Sequence, residues 1–203
     1  MISQKHSNEV APLKGLVLAG GKSVRMGGKD KGRMEWHGKE QRYYIADVLK
    51  EYCDEVYISC RPEQQDEIDP SRLILPDSYT GMGPYGAILS AFRAQPGTAW
   101  LVVACDLPLL NTVTLDYLTA HRNSDGIATA FASPYDGLPE PLITIWEPNS
   151  YPLLLSQLEQ GFTCPRKALI HFGIELLTAP DPDALLNMNS PEDVERVKEK
   201  LKV

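Results

Sequence analysis

Short apolar runs alternate along this chain with amphipathic segments of helical periodicity. Five apolar runs are predicted as strands, at residues 16–19, 56–59, 73–75, 100–105 and 127–131. Six segments are predicted as helices, at 41–53, 86–94, 114–121, 151–160, 164–172 and a last one that begins at Ser190. Because strands that alternate with helices form a mainly parallel sheet covered on both faces, the sequence predicts a single-domain, three-layer αβα, Rossmann-like fold.

Local signals support several of these helices. The spacing i, i+3, i+4, i+7 of apolar residues predicts the helix at 41–53, and it is made by Ile45, Val48, Leu49 and Tyr52. Gly161 and Gly173 are placed to end the helices that precede them. Ser190 followed by Pro191 is typical of a helix start, with the serine as cap and the proline in the first turn.

The length of 203 residues fits one domain with a substantial core. We expect a flexible leader over residues 1–12 and the domain over 13–203. No apolar stretch approaches the ~18 residues of a membrane span, and the leader lacks the apolar core of a signal peptide. The four cysteines show no paired spacing, so we expect reduced thiols and a cytoplasmic protein with no membrane partner.

Charge is unevenly distributed. The formal net charge of −7 argues against a nucleic-acid partner, which would require a broad basic surface. Between Lys14 and Arg42, however, eight basic residues stand against three acidic ones. Such a local cationic zone suits a small anionic ligand, although a solvated basic face would have the same composition.

A glycine-rich loop lies in this zone, directly after the first predicted strand. The strand runs into Gly20-Gly21, and the loop then carries Lys22, Arg25, Lys29 and Lys31. Glycines allow close approach to a ligand, and cations near free N–H groups suit a triphosphate. The loop is not a P-loop, because Gly21 stands where that motif requires lysine, and the Gly-x-Gly-x-x-Gly pattern is also absent.

The carboxyl ends of four predicted strands carry polar residues or glycine. These ends are Gly20-Gly21, Ser59, Asp77 and Asp106. Ligands of open α/β sheets bind outside this edge, so the four ends predict one site. Asp106, at the mouth of a buried strand, is a candidate magnesium ligand or a turn aspartate, and Asp77 has the same two interpretations.

The candidate catalytic groups favour direct displacement at phosphorus. Lys31 is placed to contact a phosphate and stabilise a leaving pyrophosphate, and Arg25 to clamp the triphosphate, although both are also consistent with surface cations. No Gly-x-Ser-x-Gly elbow is present. The four histidines lack partners at a recognisable spacing and are interpreted as structural or exposed: His6, His37, His121 and His171.

Four ordered motifs resemble those of the molybdenum cofactor guanylyltransferases, a family of nucleotidyltransferases. They are the loop segment 18–31, Gly83-Pro-Tyr-Gly86, Cys105-Asp-Leu-Pro108 and Asn187-Met-Asn-Ser-Pro-Glu-Asp193. The resemblance runs in order from about residue 13 to the end of the chain. It implies a nucleotidyltransferase fold and transfer of GMP from GTP to the terminal phosphate of molybdopterin, with Mg²⁺ and release of pyrophosphate.

The resemblance also implies roles for particular residues. Leu18, Ala19 and Gly20 would meet the guanine, Lys31 the phosphates and Asp106 the magnesium ion. Gly21, Ser59 and Asp77 are further nucleotide-binding candidates. Relatives that transfer CMP tend to carry Leu-Ala-Ala-Gly in the first loop, so Gly20-Gly21 with Asp30-Lys31 favours GTP. We expect a monomer, with accessory proteins of cofactor biosynthesis as possible partners.

Three segments depart from the family pattern. Ser59 stands where relatives often place an asparagine that contacts guanine, and it cannot copy the paired hydrogen bonds of an amide. The segment 138–142 adds Glu140 where relatives are expected to approach the pterin. Arg166 and Lys167 either contact the anionic pterin or lie on a helix face. Asn187 and Asn189 have two interpretations as well: they approach the metal or the pterin phosphate, or they form hydrogen bonds within a turn.

Two other functions therefore stay open from the sequence. One keeps the chemistry and changes a substrate, with CTP in place of GTP or another phosphorylated acceptor in place of the pterin. The other is a nucleotide-binding partner that has lost turnover. The presence of both Lys31 and Asp106 argues against the second function, because a protein that only binds a nucleotide has little need for both.

Overall fold

The computed structural model describes residues 10–21 and 31–202. Within these residues seven strands form one sheet: β1 (Leu13–Leu18), β2 (Val56–Cys60), β3 (Leu73–Pro76), β4 (Ala99–Ala104), β5 (Ala128–Ala132), β6 (Pro139–Trp146) and β7 (Leu176–Leu177). Their order is β3-β2-β1-β4-β6-β5-β7. β6 pairs antiparallel with β4 and β5, and every other pairing is parallel. The predicted mostly parallel α/β sheet is confirmed.

In the part of the chain that the structure describes, six α-helices connect and cover the strands. They are α1 (Gln41–Leu49), α2 (Pro84–Ala94), α3 (Thr112–Ala120), α4 (Ser150–Glu159), α5 (Pro165–Phe172) and α6 (Pro191–Leu201). Short 3-10 helices lie at Lys31–Arg33, Pro62–Glu67 and Pro182–Leu185. No helix in the described part of the chain is long and apolar enough to cross a membrane.

The core has two halves, one on each face of the sheet. In β4, whose six residues are all buried, Leu101 and Val103 pack with α1 and α3. Trp100 and Val102 face the other way and pack with α2, α4 and α5. A strand buried on both faces reads as a continuous apolar run, which is why β4 was predictable. Helices on both faces confirm the three-layer αβα arrangement.

The strands β6 and β7 are absent from the sequence-based prediction. The segment 138–142 was assigned to a substrate approach, but residues 139–146 form the eight-residue strand β6. Pro139 and Pro141 obscured it, because proline argues against a central strand. β4 pairs only with residues 143–146, so both prolines precede the part of β6 that is bonded on both sides. β7 has only two residues, too few for a periodicity signal.

Helix boundaries follow the predicted signals closely except at the end of α1. Gly161 and Gly173 have positive φ angles of 82° and 62°, and the Ser190 hydroxyl accepts a hydrogen bond from the Asp193 N–H, as a cap does. The predicted helix 41–53 is too long, because α1 ends at Leu49. The Asp54 N–H donates to the Leu13 carbonyl, so the chain has already turned back to the sheet. The limits of the leader and domain stay predictions.

Candidate active site

The carboxyl ends of β1–β4 surround one cleft of about 540 Å³. Eight of the nine predicted site residues line it: Leu18, Ala19, Gly20, Gly21, Lys31, Ser59, Asp77 and Asp106. The ninth, Arg25, lies outside the described residues. Parallel strands end at a common edge, and β4 lies beside β1 in the sheet. This order brings the end of β4 next to the glycine loop.

Asp106 follows β4 and Cys105 and is the most deeply placed carboxylate of the cleft. Its Oδ2 lies 3.3 Å from the Lys31 Nζ. Its Oδ1 is buried and has no hydrogen-bond partner among the described residues. Burial raises the pKa of Asp106, and the charge and hydrogen bond of Lys31 oppose that shift. A buried carboxylate oxygen with no partner is costly, which makes this oxygen a candidate for binding a ligand.

Lys31 joins Asp106 to the C-terminal part of the chain. Its Nζ also donates to the Asn189 Oδ1 at 2.7 Å, across 158 residues of sequence. The Met188 N–H donates to the Asp106 carbonyl at 2.9 Å, so the segment before α6 is fixed to the same turn. Of the two asparagines in the fourth motif, Asn189 therefore reaches the cleft through Lys31.

Asp77 and Ser59 form a second polar pair. The Ser59 hydroxyl, at the end of β2, donates to the Asp77 Oδ1 at 2.8 Å. The Asp77 N–H donates to the Cys60 carbonyl at 2.9 Å, which fixes the first residue after β3 against β2. Burial raises the pKa of Asp77 to about 6, and the Ser59 hydrogen bond opposes the shift. This carboxyl group is therefore largely ionised at neutral pH.

Gly20 lets the loop after β1 pass close to the end of β2. A Cβ atom built on Gly20 would lie 3.3 Å from the Arg61 backbone nitrogen, which is tighter than an ordinary van der Waals contact. A Cβ atom on Gly21 would meet nothing within 4 Å in the described residues. Gly20 is therefore required by packing, whereas Gly21 leaves its backbone open to the cleft.

The loop 78–83 forms a wall of the cleft and is attached to α2. A Cβ atom on Gly86 would lie 2.1 Å from the Tyr79 carbonyl oxygen, so only glycine permits this contact. The Ser90 hydroxyl accepts from the N–H groups of Ser78 and Tyr79 and donates to the Gly86 carbonyl. The Gly83-Pro-Tyr-Gly86 motif thus serves the packing of loop on helix.

Residues beyond the nine predicted site residues also line the cleft, among them Arg61, Thr80 and Leu142. The Arg61 Nε donates to the Gln64 Oε1 at 3.0 Å, which holds the side chain at the end of β2. Its position directly after a predicted strand was a usable signal. Leu142 ends the segment 138–142, which was expected near the approach to the pterin, although the strand β6 that carries it was not predicted.

Arg166 and Glu140 lie together where β6 and α5 begin. The Arg166 Nη1 donates to the Asp136 Oδ2 at 2.9 Å, and its Nη2 to the Glu140 Oε2 at 3.3 Å. Glu140 is 5% exposed, and burial raises its pKa. It precedes the cleft residue Leu142 by two positions on β6. Arg166 is thus an anchored cation beside the β6 end of the cleft.

Two solved structures whose titles describe a molybdopterin-guanine dinucleotide biosynthesis protein and a nucleotidyl transferase share this fold. Molybdopterin-guanine dinucleotide biosynthesis protein A from Archaeoglobus fulgidus matches with a TM-score of 0.74 at 22% identity, over 93% of this chain and 98% of that chain. A nucleotidyl transferase from Methanothermobacter matches with a TM-score of 0.71 at 18% identity, over 94% and 98%. These likenesses show the nucleotidyltransferase fold.

Sequence comparison identifies the family. The model described as MobA-like NTP transferase domain matches residues 15–172. A molybdenum cofactor guanylyltransferase from Shewanella baltica is 31% identical over 189 residues, covering 90% of this chain and 93% of the relative. The chain therefore belongs to the MobA-like NTP transferase family and is a nucleotidyltransferase.

A longer relative matches as well. A molybdenum cofactor biosynthesis bifunctional protein from Synechocystis is 37% identical over 183 residues, which cover 90% of this chain. The match includes 52% of the relative, so the chain spans about half the length of that protein.

Proposed function

We propose that this nucleotidyltransferase transfers GMP from GTP to the terminal phosphate of molybdopterin. An oxygen of that phosphate forms a bond to the α-phosphorus, the bond from the α-phosphorus to the bridging oxygen breaks, and pyrophosphate leaves. The observation that carries the proposal is Asp106 in a glycine-edged cleft: its Oδ2 contacts the Lys31 ammonium group, and its buried Oδ1 has no partner among the described residues. The names of the relatives supply the substrates.

The Asp106 site fits a magnesium ion. Mg²⁺ binds carboxylate oxygen, keeps several waters and shares the phosphates of its substrate, so it does not require a cage of protein ligands. The described residues contain no group of three or more His, Cys, Asp or Glu side chains placed to hold a metal. A single carboxylate with a free oxygen suits such a nucleotide-bound ion, which would neutralise charge on the phosphates when bound.

Lys31 would stabilise the negative charge that grows on the leaving pyrophosphate. Its Nζ is held between Asp106 and Asn189, so it needs little reorganisation to meet a phosphate. A preorganised cation aimed at developing charge accelerates a displacement more than a freely moving one. In this proposal Arg25 clamps the triphosphate, and the reaction proceeds without a covalent enzyme intermediate.

Asp77 favours guanine as the base. The Watson–Crick edge of guanine offers two adjacent N–H donors, which an ionised carboxylate accepts together, whereas cytosine offers one amino donor beside acceptors. Ser59 donates its hydroxyl hydrogen to Asp77, so the serine orients the carboxylate. In this proposal the pair Ser59–Asp77 replaces the asparagine that relatives often carry, with Leu18, Ala19, Gly20 and Gly21 along the base.

The molybdopterin would occupy the other end of the cleft, near Leu142 and Arg166. Asp136 and Glu140 hold the Arg166 guanidinium, which suits a fixed contact to an anionic group. The proposal further includes a monomer that acts in the cytoplasm on these two small substrates. It involves neither nucleic acid nor a membrane, and accessory proteins of cofactor biosynthesis are possible partners.

The test is pyrophosphate release from the purified protein with Mg²⁺ and molybdopterin, comparing GTP, CTP, ATP and UTP. Release with GTP alone supports the proposal, and a preference for CTP overturns the assignment of the base. GTP binding without release from any nucleotide would point to another acceptor or to a non-catalytic protein. Asp106→Asn serves as the inactive variant, and Asp125→Asn, in an exposed turn before β5, is the matched control for charge removal.

A further inference from the structure

Three successive backbone carbonyls follow β4, and each accepts a hydrogen bond from a distant part of the chain. The Asp106 carbonyl accepts from the Met188 N–H at 2.9 Å. The Leu107 carbonyl accepts from the Gln41 Nε2 at 3.2 Å, and the Pro108 carbonyl accepts from the His37 Nε2 at 2.9 Å. The turn that presents the Asp106 carboxylate is thus held by contacts that the strand itself does not supply.

Pairing with the neighbouring strand β1 extends to Cys105, the residue before this turn. The Cys105 N–H donates to the Leu18 carbonyl at 3.3 Å. Pro108 has no N–H to donate. Within the turn, the Leu110 N–H donates to the Leu107 carbonyl at 3.3 Å. Its remaining anchors include the side chains of His37 and Gln41.

The contact of Gln41 with Leu107 requires burial of a polar side chain, which is unfavourable for folding. It is the first residue of α1 and is fully buried. Its Nε2 reaches Leu107, while its Oε1 has no partner among the described residues. A buried amide oxygen without a partner disfavours folding by about 1–3 kcal/mol, so a leucine of similar volume would stabilise the fold at least as well. The glutamine therefore requires an explanation other than stability.

His37 lies in the segment that connects Lys31 to α1. Its ring stacks on Tyr44 with centroids 3.8 Å apart, and this packing directs the Nε2 at Pro108. Because a carbonyl oxygen only accepts, the Nε2 is the donor in this contact. The chain from Lys31 to Gln41 thus places the Lys31 ammonium group in the cleft and the side-chain donors of His37 and Gln41 behind the Asp106 turn.

We propose that His37 and Gln41 are positioning residues for the Asp106 carboxylate, which they hold with its free Oδ1 aimed into the cleft. This inference rests on the proposed function, in which that oxygen binds a nucleotide-bound metal. Groups that orient a metal ligand typically change metal affinity or activity on the order of 10- to 100-fold when removed. Neither residue touches the reacting atoms, so their effect is exerted through Asp106.

Two variants separate positioning from folding. Gln41→Leu removes the donor together with the unpartnered oxygen, and the Leu107 carbonyl keeps the Leu110 N–H, so the free energy of unfolding is expected not to fall. His37→Phe keeps the ring on Tyr44 and removes only the hydrogen bond. His121→Phe is the matched control, because His121 stacks on Tyr117 at 4.0 Å and its Nδ1 contacts the Tyr117 carbonyl away from the cleft.

The experiment measures Mn²⁺ binding with GTP and no acceptor, from the electron paramagnetic resonance signal of free Mn²⁺. Two further measurements accompany it. One is hydrogen exchange of the peptide covering residues 104–110, and the other is the kcat and KM of pyrophosphate release. We expect Gln41→Leu and His37→Phe each to weaken Mn²⁺ binding on the order of 10-fold, to lower kcat/KM for GTP by at least as much, and to speed exchange. His37→Gln, which keeps a donor, is expected to recover part of the loss, and His121→Phe to match the wild type.

Wild-type Mn²⁺ affinity and wild-type exchange in both variants would overturn the inference, as would a kcat loss that merely tracks a lower melting temperature. Failure of the proposed function has a different signature. If the wild type binds no Mn²⁺ with GTP, or Asp106→Asn binds it equally well, the metal role of Asp106 is wrong. Exchange at 104–110 then still decides whether His37 and Gln41 hold the turn.

Discussion

The ends of β3 and β4 each place an aspartate in the cleft, Asp77 and Asp106, and the two side chains are held differently. Asp77 is held by its immediate neighbours, since Ser59 and Cys60 lie on the adjacent strand β2. Asp106 is held by Lys31, Met188 and the side chains behind its turn, which come from both ends of the chain. Burial raises the pKa of both groups. The carboxylate with local partners accepts a hydroxyl hydrogen bond on Oδ1, and the one with distant partners has a buried Oδ1 with no partner among the described residues.

In the proposed function, this difference separates a carboxylate that binds the base from one that acts at the reacting phosphates. A carboxylate that already accepts a hydrogen bond from a hydroxyl suits recognition of a base, because hydrogen-bond geometry matters more there than the stabilisation of developing charge. A carboxylate with an unused, buried oxygen and a neighbouring ammonium group suits the reacting phosphates, where charge develops. The four predictions below test this division, from the largest expected effect to the smallest.

Asp106→Asn is expected to lower kcat for pyrophosphate release by at least ~100-fold, because it removes the charge that would hold a metal at the reacting phosphate. The free energy of unfolding should hold or rise, since a buried carboxylate is replaced by a neutral amide. Steady-state kinetics and thermal unfolding check both effects. Near wild-type turnover in a folded variant would remove Asp106 from the chemistry.

Lys31→Ala is expected to lower kcat by a factor of about 10 to 100, because the cation that meets the leaving pyrophosphate is lost. Lys50→Ala, which removes an exposed lysine beside Asp47 on α1, is the control and should leave kcat unchanged. The same pyrophosphate assay gives both values. A higher KM at unchanged kcat would show instead that Lys31 contributes only to binding of the ground state.

Asp77→Asn is expected to reduce the preference for GTP over CTP by about 10-fold with little change in kcat, because hydrogen bonds to a charged acceptor exceed those to a neutral one by about 1 kcal/mol. The ratio of kcat/KM for the two nucleotides measures this. An unchanged ratio would show that the base is read elsewhere.

The pH dependence of Asp77 provides a second arm of that test. Its pKa is raised to about 6, so kcat/KM for GTP should fall as pH drops through about 6. Protein stability should move the opposite way: the folded state takes up the proton first, so stability rises as pH falls from about 6 toward the ordinary carboxyl range. Ser59→Ala removes the hydrogen bond that lowers this pKa and should shift the inflection upward.

Ser90→Ala is expected to cost about 1 kcal/mol of unfolding free energy and to raise KM for GTP a few-fold, since the loop 78–83 loses its anchor on α2. Ser150→Ala is the matched control: its buried hydroxyl donates to the Glu147 carbonyl, and it does not line the cleft. It should lose stability without a change in KM. Equal KM effects in the two variants would indicate a general loss of structure.

Much of the fold and of the cleft was predictable, because the signals are local. Apolar runs identified five strands, and polar residues or glycines directly after four of them identified the edge that becomes the cleft. β6 was not predicted as a strand, because Pro139 and Pro141 argue against a central strand, although the segment 138–142 was expected near a substrate. Arg61 was visible in the sequence at the end of a predicted strand. A cation at that position can bind a ligand or lie on the surface, and the sequence does not distinguish these roles.

The amino-acid sequence by itself determined the strand–helix alternation, the glycine edge and the chemical types that meet there, since hydrophobic periodicity and chain geometry act over a few residues. Only the tertiary structure decided that Ser59 orients Asp77, that Asn189 and Lys31 meet beside Asp106, and that His37 and Gln41 support the turn. These contacts join residues that are between 18 and 158 positions apart. They depend on the order of strands in the sheet and on where the last segment crosses it, which no local pattern encodes.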